Sequence, residues 1–312
     1  MKAKFRCTRR CGFTLVELMV ATALGMLIAL VATAVMLSTR QAFAANDDYA
    51  ELEENGRFAL QMIGRAIRQA AFDNWDGGGG AALIAGSDAS PAIFGLDDRS
   101  LKSNSPALDR PTTGVNGSDV LAIRFVGSGP APGGDGTVFN CAGFAVPQPE
   151  DPDAGRGWSI FYVALSDGEP ELRCKYANAD GNWNSVGMVR GVETFQVLYG
   201  LDPDGDGKPN RYVPAGEIER LADATPAAGV GANPWKQVVA VKFAMLMRGS
   251  SGNRADAPDN RYDLFGPAYA RSAGASDPGS SISEPELPQA SRHRLRKTVS
   301  ATVMLRNAAG GG

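Results

Sequence analysis

From Phe13 to Leu37 the only ionisable side chain is Glu17, in a run that is otherwise almost wholly apolar. The ~30 Å hydrocarbon core of a bilayer takes about 20 helical residues to cross, so this run is long enough to span one. A carboxylate inside such a span is costly and marks a functional position by default. Ahead of it lies a short leader whose charge comes from Lys2, Lys4, Arg6, Arg9 and Arg10, ending at Gly12. Any fold for the chain must start from an anchoring helix and must explain what Glu17 meets.

Ordinary export signals do not explain this pattern. A secretory signal would be cleaved near Ala42-Phe43-Ala44, but its apolar region would exceed the roughly 15 residues such regions reach. A plain anchor accounts for the hydrophobicity and not for Glu17 beside Gly12. A lipoprotein signal wants small or apolar residues where Arg9 and Arg10 precede Cys11. The stretch Gly12-Phe13-Thr14-Leu15-Val16-Glu17-Leu18 instead resembles the cleavage site of type IV prepilins. That resemblance implies a prepilin peptidase that cuts after Gly12 and methylates the new terminus, Phe13. It also implies that Glu17 faces the N-terminal amine of a neighbouring subunit. Electrostatics agree, because cleavage leaves an amine one helical turn from a carboxylate, at a helix end that favours negative charge. Ala21, Gly25 and Ala29 form a small-residue ridge that lets helices approach closely. The expected partners are the peptidase, the inner membrane, and other pilins through the N-terminal helix.

The charge balance narrows the rest. The 312 residues carry a formal charge of −3, and loss of the five leader cations would take it to −8. Such a surface argues against nucleic acid as the main partner, since phosphate binding needs local positive charge. Cys7 and Cys11 would leave with the leader, and Cys141 and Cys174 remain as an even pair. In an exported chain that pair reads as one disulfide. A metal site is the competing reading, against which stand the single histidine, His293, and the lack of a C-x-x-C spacing.

The first helix is expected to continue past the membrane, since no proline interrupts Gln41 to Phe72. Ala59, Met62, Ile63, Ala66, Ile67 and Ala70 recur there at helical spacing. Asp73 to Gly80 should break it. Strand patterns follow at Val120–Val126, Ser159–Leu165, Glu171–Tyr176, Val192–Tyr199, Val238–Met247 and Thr298–Leu305. In the last, Val299, Ala301, Val303 and Leu305 share a face. Residues 249–291, rich in Gly, Ser, Pro and Asp, read as a long exposed loop. Two segments resemble PilW-type minor pilins: Glu54–Leu60 with Arg65–Ala70, and Gly191–Gly200 leading into an Asp/Gly loop. Unlike many major pilins, the chain has no proline to bend the first helix. The family implies a low-copy subunit that helps begin or cap a pilus.

Outside the N-terminus two clusters stand out. Asp202, Asp204 and Asp206, with Gly207, follow the opening of a calcium loop, whose clustered carboxylates suit a hard cation. The twelfth position is Val213 rather than glutamate, which favours a solvated turn over a Ca2+ site. Arg292, His293, Arg294, Arg296 and Lys297 form a basic run, expected to be a solvated edge that discourages sheet aggregation. No catalytic constellation is present: one histidine and no phosphate-binding glycine loop after a strand leave little to do chemistry with.

These readings converge on an α+β, pilin-like chain. Residues 1–12 form the leader, 13–72 a membrane-spanning and then amphipathic helix, and 73–312 an antiparallel-sheet head with long loops outside the inner membrane. The expected function is that of a minor type IV pilin incorporated into a surface pilus. A type II secretion pseudopilin and a pilus-displayed adhesin are the alternatives.

Overall fold

One continuous helix, α1 (Leu15–Gln69), makes up the first 55 structured residues. The computed structural model describes residues 12–70, 90–151, 155–178, 180–224, 233–250 and 259–306. The leader up to residue 11 and the expected helix break at Asp73–Gly80 lie outside the described residues. The chain divides into two units, 1–47 and 48–312. In the first, the apolar side chains are bare: Phe13, Met26, Leu30 and Phe43 are all exposed. By length and composition this part of α1 is apolar enough to cross a membrane. The absence of proline and the run of Ala, Leu and Met explain why it stays helical.

In the second unit α1 buries one face. Leu52, Gly56, Ala59, Ile63, Ala66 and Ile67 point into the main core, at the three-and-four spacing expected of an amphipathic helix. Among the described residues, thirteen strands and two short α-helices follow. They are β1 (Ile93–Leu96), β2 (Arg99–Ser100), β3 (Thr112–Thr113), β4 (Val120–Phe125), β5 (Gly157–Ser166), β6 (Glu169–Ala177), β7 (Trp183–Arg190), β8 (Val192–Leu201) and β9 (Arg211–Val213). Next come α2 (Ala215–Ala224), β10 (Val238–Arg248), β11 (Arg261–Asp263), α3 (Pro267–Ser272), β12 (Ser281–Ser283) and β13 (Arg296–Met304). One sheet runs β1-β4-β5-β6-β7 and another β13-β10-β8-β9, with short pairs β2-β3 and β11-β12. Their pairings are antiparallel.

The pleat sends alternate residues to different cores. On β5, Phe161 and Val163 join the main core while Ile160 and Tyr162 enter a separate cluster with Leu101, Val120 and Ala122. On β13, Val299, Ala301 and Val303 turn inward and Thr298, Ser300 and Thr302 stay exposed. There α1 comes close: a Cβ on Gly56 would lie 3.0 Å from Val299 and 3.4 Å from Met247. Glycine at that step keeps the helix on the sheet.

Each of the six expected strands overlaps one of these. One expectation is corrected here. Residues 259–291 are not a long exposed loop. They form the β11–β12 hairpin, α3 and 3-10 turns, and seat Leu264, Ile282 and Leu287 on Ala244 and Leu246 of β10. The turn-forming residues punctuate a compact cover whose few apolar residues are far apart in sequence. Residues 251–258 lie outside the described residues. Strand β8 does not alternate between buried and exposed: Gln196 and Leu198 are buried along with Phe195, Val197 and Tyr199. Gln196 donates from Nε2 to the carbonyl of Gly117 at 2.6 Å, and a Cβ on Gly279 would lie 2.6 Å from that amide. Both faces of the strand are therefore covered.

Candidate functional site

At the start of α1 the chain makes a reciprocal cap. The backbone N–H and the hydroxyl of Thr14 both donate to Glu17 Oε2, at 2.9 and 3.0 Å. Glu17 N–H donates back to Thr14 Oγ1 at 3.3 Å. This is a capping box, in which a side chain at each end satisfies an orphan backbone donor of the other. It fixes the Glu17 carboxylate towards the helix start, within one turn of Phe13. Phe13 itself is 90 % exposed, and Gly12 before it is non-helical and exposed. The acid is thus held at the end of a bare apolar helix, beside the bond between Gly12 and Phe13. Thr14 was not singled out from sequence, although Thr14-Leu15-Val16-Glu17 carries the capping-box spacing. Cys141 and Cys174 are joined in a disulfide with Cα atoms 5.9 Å apart. It ties the loop before Ala142 to β6, where Cys174 lies opposite Phe161.

The N-terminal stretch, residues 7–33, matches the prokaryotic N-terminal methylation motif. Residues 160–307 match the family described as type IV pilus-assembly protein W, PilW. The two matches together support a PilW-type pilin-like protein. A type IV-like pilin from Thermus thermophilus is similar at 14 % identity, covering 84 % of this chain and 96 % of that one. Its TM-score is 0.38. No curated protein matches the sequence.

Elsewhere in this pilin the sequence-marked residues meet partners of their own. Asp202, Asp204 and Asp206 do converge, with ligand oxygens within 4.8 Å of one another. Yet Asp202 Oδ1 accepts the N–H groups of Gly205 and Asp206 at 2.8 and 3.2 Å, and Oδ2 accepts that of Gly207 at 2.7 Å. Asp204 accepts the Asn210 side-chain amide at 3.0 Å, and Lys208 lies 3.7 Å from Asp206. Donors from within the loop already offset its negative charge, which fits a self-closed turn better than a calcium cage.

The basic run is not a solvated edge. Arg296 is buried, donating to Glu193 at 2.6 and 3.0 Å and to Glu284 at 2.8 Å. Arg292 donates to the carbonyls of Leu287 and Pro285, and Lys297 pairs with Glu53 of α1. Arg248 pairs with Glu169 and lies 3.6 Å from Glu193. Burial pushes the Glu193 carboxyl up, opposed by the Arg296 guanidinium. Burial likewise brings Arg248 down to about 10, helped by Arg294 and Arg296. Arg292, Arg296 and Lys297 thus meet carbonyls and carboxylates of the fold rather than facing open solvent.

Two further acids were passed over in the sequence. Asp97 accepts the Ala215 and Gly216 N–H groups at 2.9 and 2.7 Å, capping α2. Asp119 accepts those of Asp98 and Val197 at 3.1 and 2.8 Å. Their partners lie far off in the chain, so no local spacing announced them.

Proposed function

We propose that this pilin is a minor subunit of a type IV pilus, made as a prepilin, cleaved after Gly12 and methylated on Phe13. Residues 1–12 are then the leader, 13–72 the helix that first anchors the chain in the inner membrane, and 73–312 the exported head. The observation that carries the reading is the capped carboxylate of Glu17 at the tip of an uncovered apolar helix. Such a helix is stable in a lipid bilayer, and equally in a bundle of like helices. In the bundle, the terminal amine of a neighbour offers Glu17 the counter-charge it lacks. The work is structural: prepilin peptidase and other pilins are the partners, and the subunit helps begin or cap the filament.

The experiment is mass spectrometry of the membrane-extracted chain. A methylated N-terminus at Phe13 is expected; a chain starting at Ala45 would sink the proposal. A pseudopilin of type II secretion shares this N-terminal logic, and a twitching assay on the deletion strain separates the two. A display role for the head has one observation in its favour. A cleft of about 390 Å³ lies between Pro147, Pro149, Trp158 and Trp183. Loss of surface adhesion in Trp183→Ala, with filaments intact, would support it.

A further inference from the structure

Opposite its buried face, the second half of α1 carries another stripe. Glu51, Glu54, Phe58, Gln61, Arg65 and Arg68 recur at alternating steps of three and four residues, and all are exposed. That spacing keeps side chains in one line along a helix, as in the seam of a coiled coil. The acids come first and the arginines last, with Phe58, 45 % exposed, between them. Arg57 stands beside the line. Within the stripe the near neighbours are like-charged, Glu51 with Glu54 and Arg65 with Arg68, which an isolated helix disfavours. The helix dipole favours the arginines in the last turns; the acids lie mid-helix and gain nothing from it. Among the described residues no ion pair joins any of these four to another charge. Glu51 accepts a hydrogen bond from Ser250 at 3.0 Å, and Arg65 lies over the Phe139 ring at 5.9 Å.

Glu51 and Arg65 are fourteen residues apart, as are Glu54 and Arg68. This is two heptads, about 21 Å of helix rise. A parallel copy of the stripe displaced by that amount sets Glu51 and Glu54 against Arg65 and Arg68. In register, the same copy sets like against like, which discriminates strongly between the two arrangements. We propose that the stripe is a self-complementary seam that receives α1 of a second copy of this chain, parallel and displaced by two heptads. The inference rests on the filament reading, because copies anchored by the same N-terminal span enter side by side with one polarity.

The test uses the full-length chain in sheared filaments, where neighbours can be staggered along α1, as two differently tagged copies, one Glu54→Cys and the other Arg68→Cys. A thiol crosslinker should join the two tags, and Glu51→Cys should join to Arg65→Cys in the same way. With the 54–68 cysteine pair as reporter, Arg65→Glu in the Arg68→Cys copy should cut the product about tenfold, and Glu51→Arg in the Glu54→Cys copy should restore it. These sites are exposed, so the head should fold in every variant. A product between two Phe58→Cys copies would mean parallel pairing in register, and one between Phe58→Cys and Gln61→Cys would mean antiparallel pairing; either, in place of the 54–68 product, would overturn the proposal. If both copies are recovered in sheared filaments without any two-tag product, the seam is wrong and the filament reading stands. If the unmodified chain never reaches filaments, the filament reading fails, and the seam with it.

Discussion

Glu17 is hydrogen-bonded by Thr14 at the start of α1, so its replacement can remove two things at once. Glu17→Ala loses the capping box, worth about 1 kcal/mol of local helix stability. It also loses the charge proposed to meet a neighbouring amine, and an amine left unpaired in an apolar place costs several kcal/mol, on the order of 3–5. Glu17→Gln separates the effects, because glutamine still caps at that position and carries no charge. Both variants should insert in the membrane and be poorly recovered in sheared filaments. Normal recovery of the glutamine variant would refute the pairing. At Asp202 the opposite outcome is expected of a residue the sequence marks for a metal. Three N–H donors depend on its carboxylate, so Asp202→Ala should cost about 1–3 kcal/mol. Calcium and chelator should leave the melting of the soluble head unchanged. A calcium-dependent rise in melting temperature, lost in Asp204→Ala, would restore the metal reading.

At the scale of elements, the cover made by residues 259–291 should be sensitive to pH. Asp277 there accepts the Tyr269 hydroxyl at 2.8 Å. Burial first, and then Asp97, push its carboxyl from the usual 3.8 up to about 6, against the lowering effect of that hydrogen bond. The folded chain therefore holds a proton that the unfolded chain has already released. Its stability is greatest below the unfolded value and falls as pH rises towards 6, by on the order of 2–3 kcal/mol at most. Denaturant midpoints at pH 4.5 and 7 should differ more in the wild type than in Asp277→Asn. Equal differences would show that the group does not titrate in this way. Asp119, raised by its own burial and by Asp97 and Asp277, acts with the same sign in both proteins. The disulfide makes a separate prediction: without reductant, neither Cys141 nor Cys174 should label, and replacing both with Ala should cost about 2–4 kcal/mol. Labelling of both in native protein would contradict the bond. The long strands were legible because their apolar runs are contiguous. The cover was not, since Leu264, Ile282 and Leu287 are isolated among turn-formers. Strand β7 was missed for a related reason: only Val189 of its eight residues is buried, so its sequence has no apolar pattern to read.

For the whole molecule, the N-terminal chemistry was open to reading because it is written in adjacent residues. Charge sign and membrane length need no tertiary structure to interpret. The fate of the basic run was not, because Arg296 and Glu193 are 103 residues apart and nothing near either one announces the other. A string of cations looks solvated until the acids that fold against it are known. The internal ion pairs also mean that net charge is a poor guide to what the head presents, since Arg296, Glu193 and Glu284 are withdrawn from the surface altogether. Strand β13 has a further bearing on how the molecule is made. It is the last strand described, yet it pairs with β10 along nine residues, faces α1 at Gly56 and supplies the buried Arg296. The first element of the chain therefore gains part of the surface it rests on only from the last strand. A chain halted before residue 296 would leave β10 unpaired at a sheet edge and Glu193 without Arg296. Such a product would be open to proteolysis, so the order of elements along the chain itself screens for full-length copies.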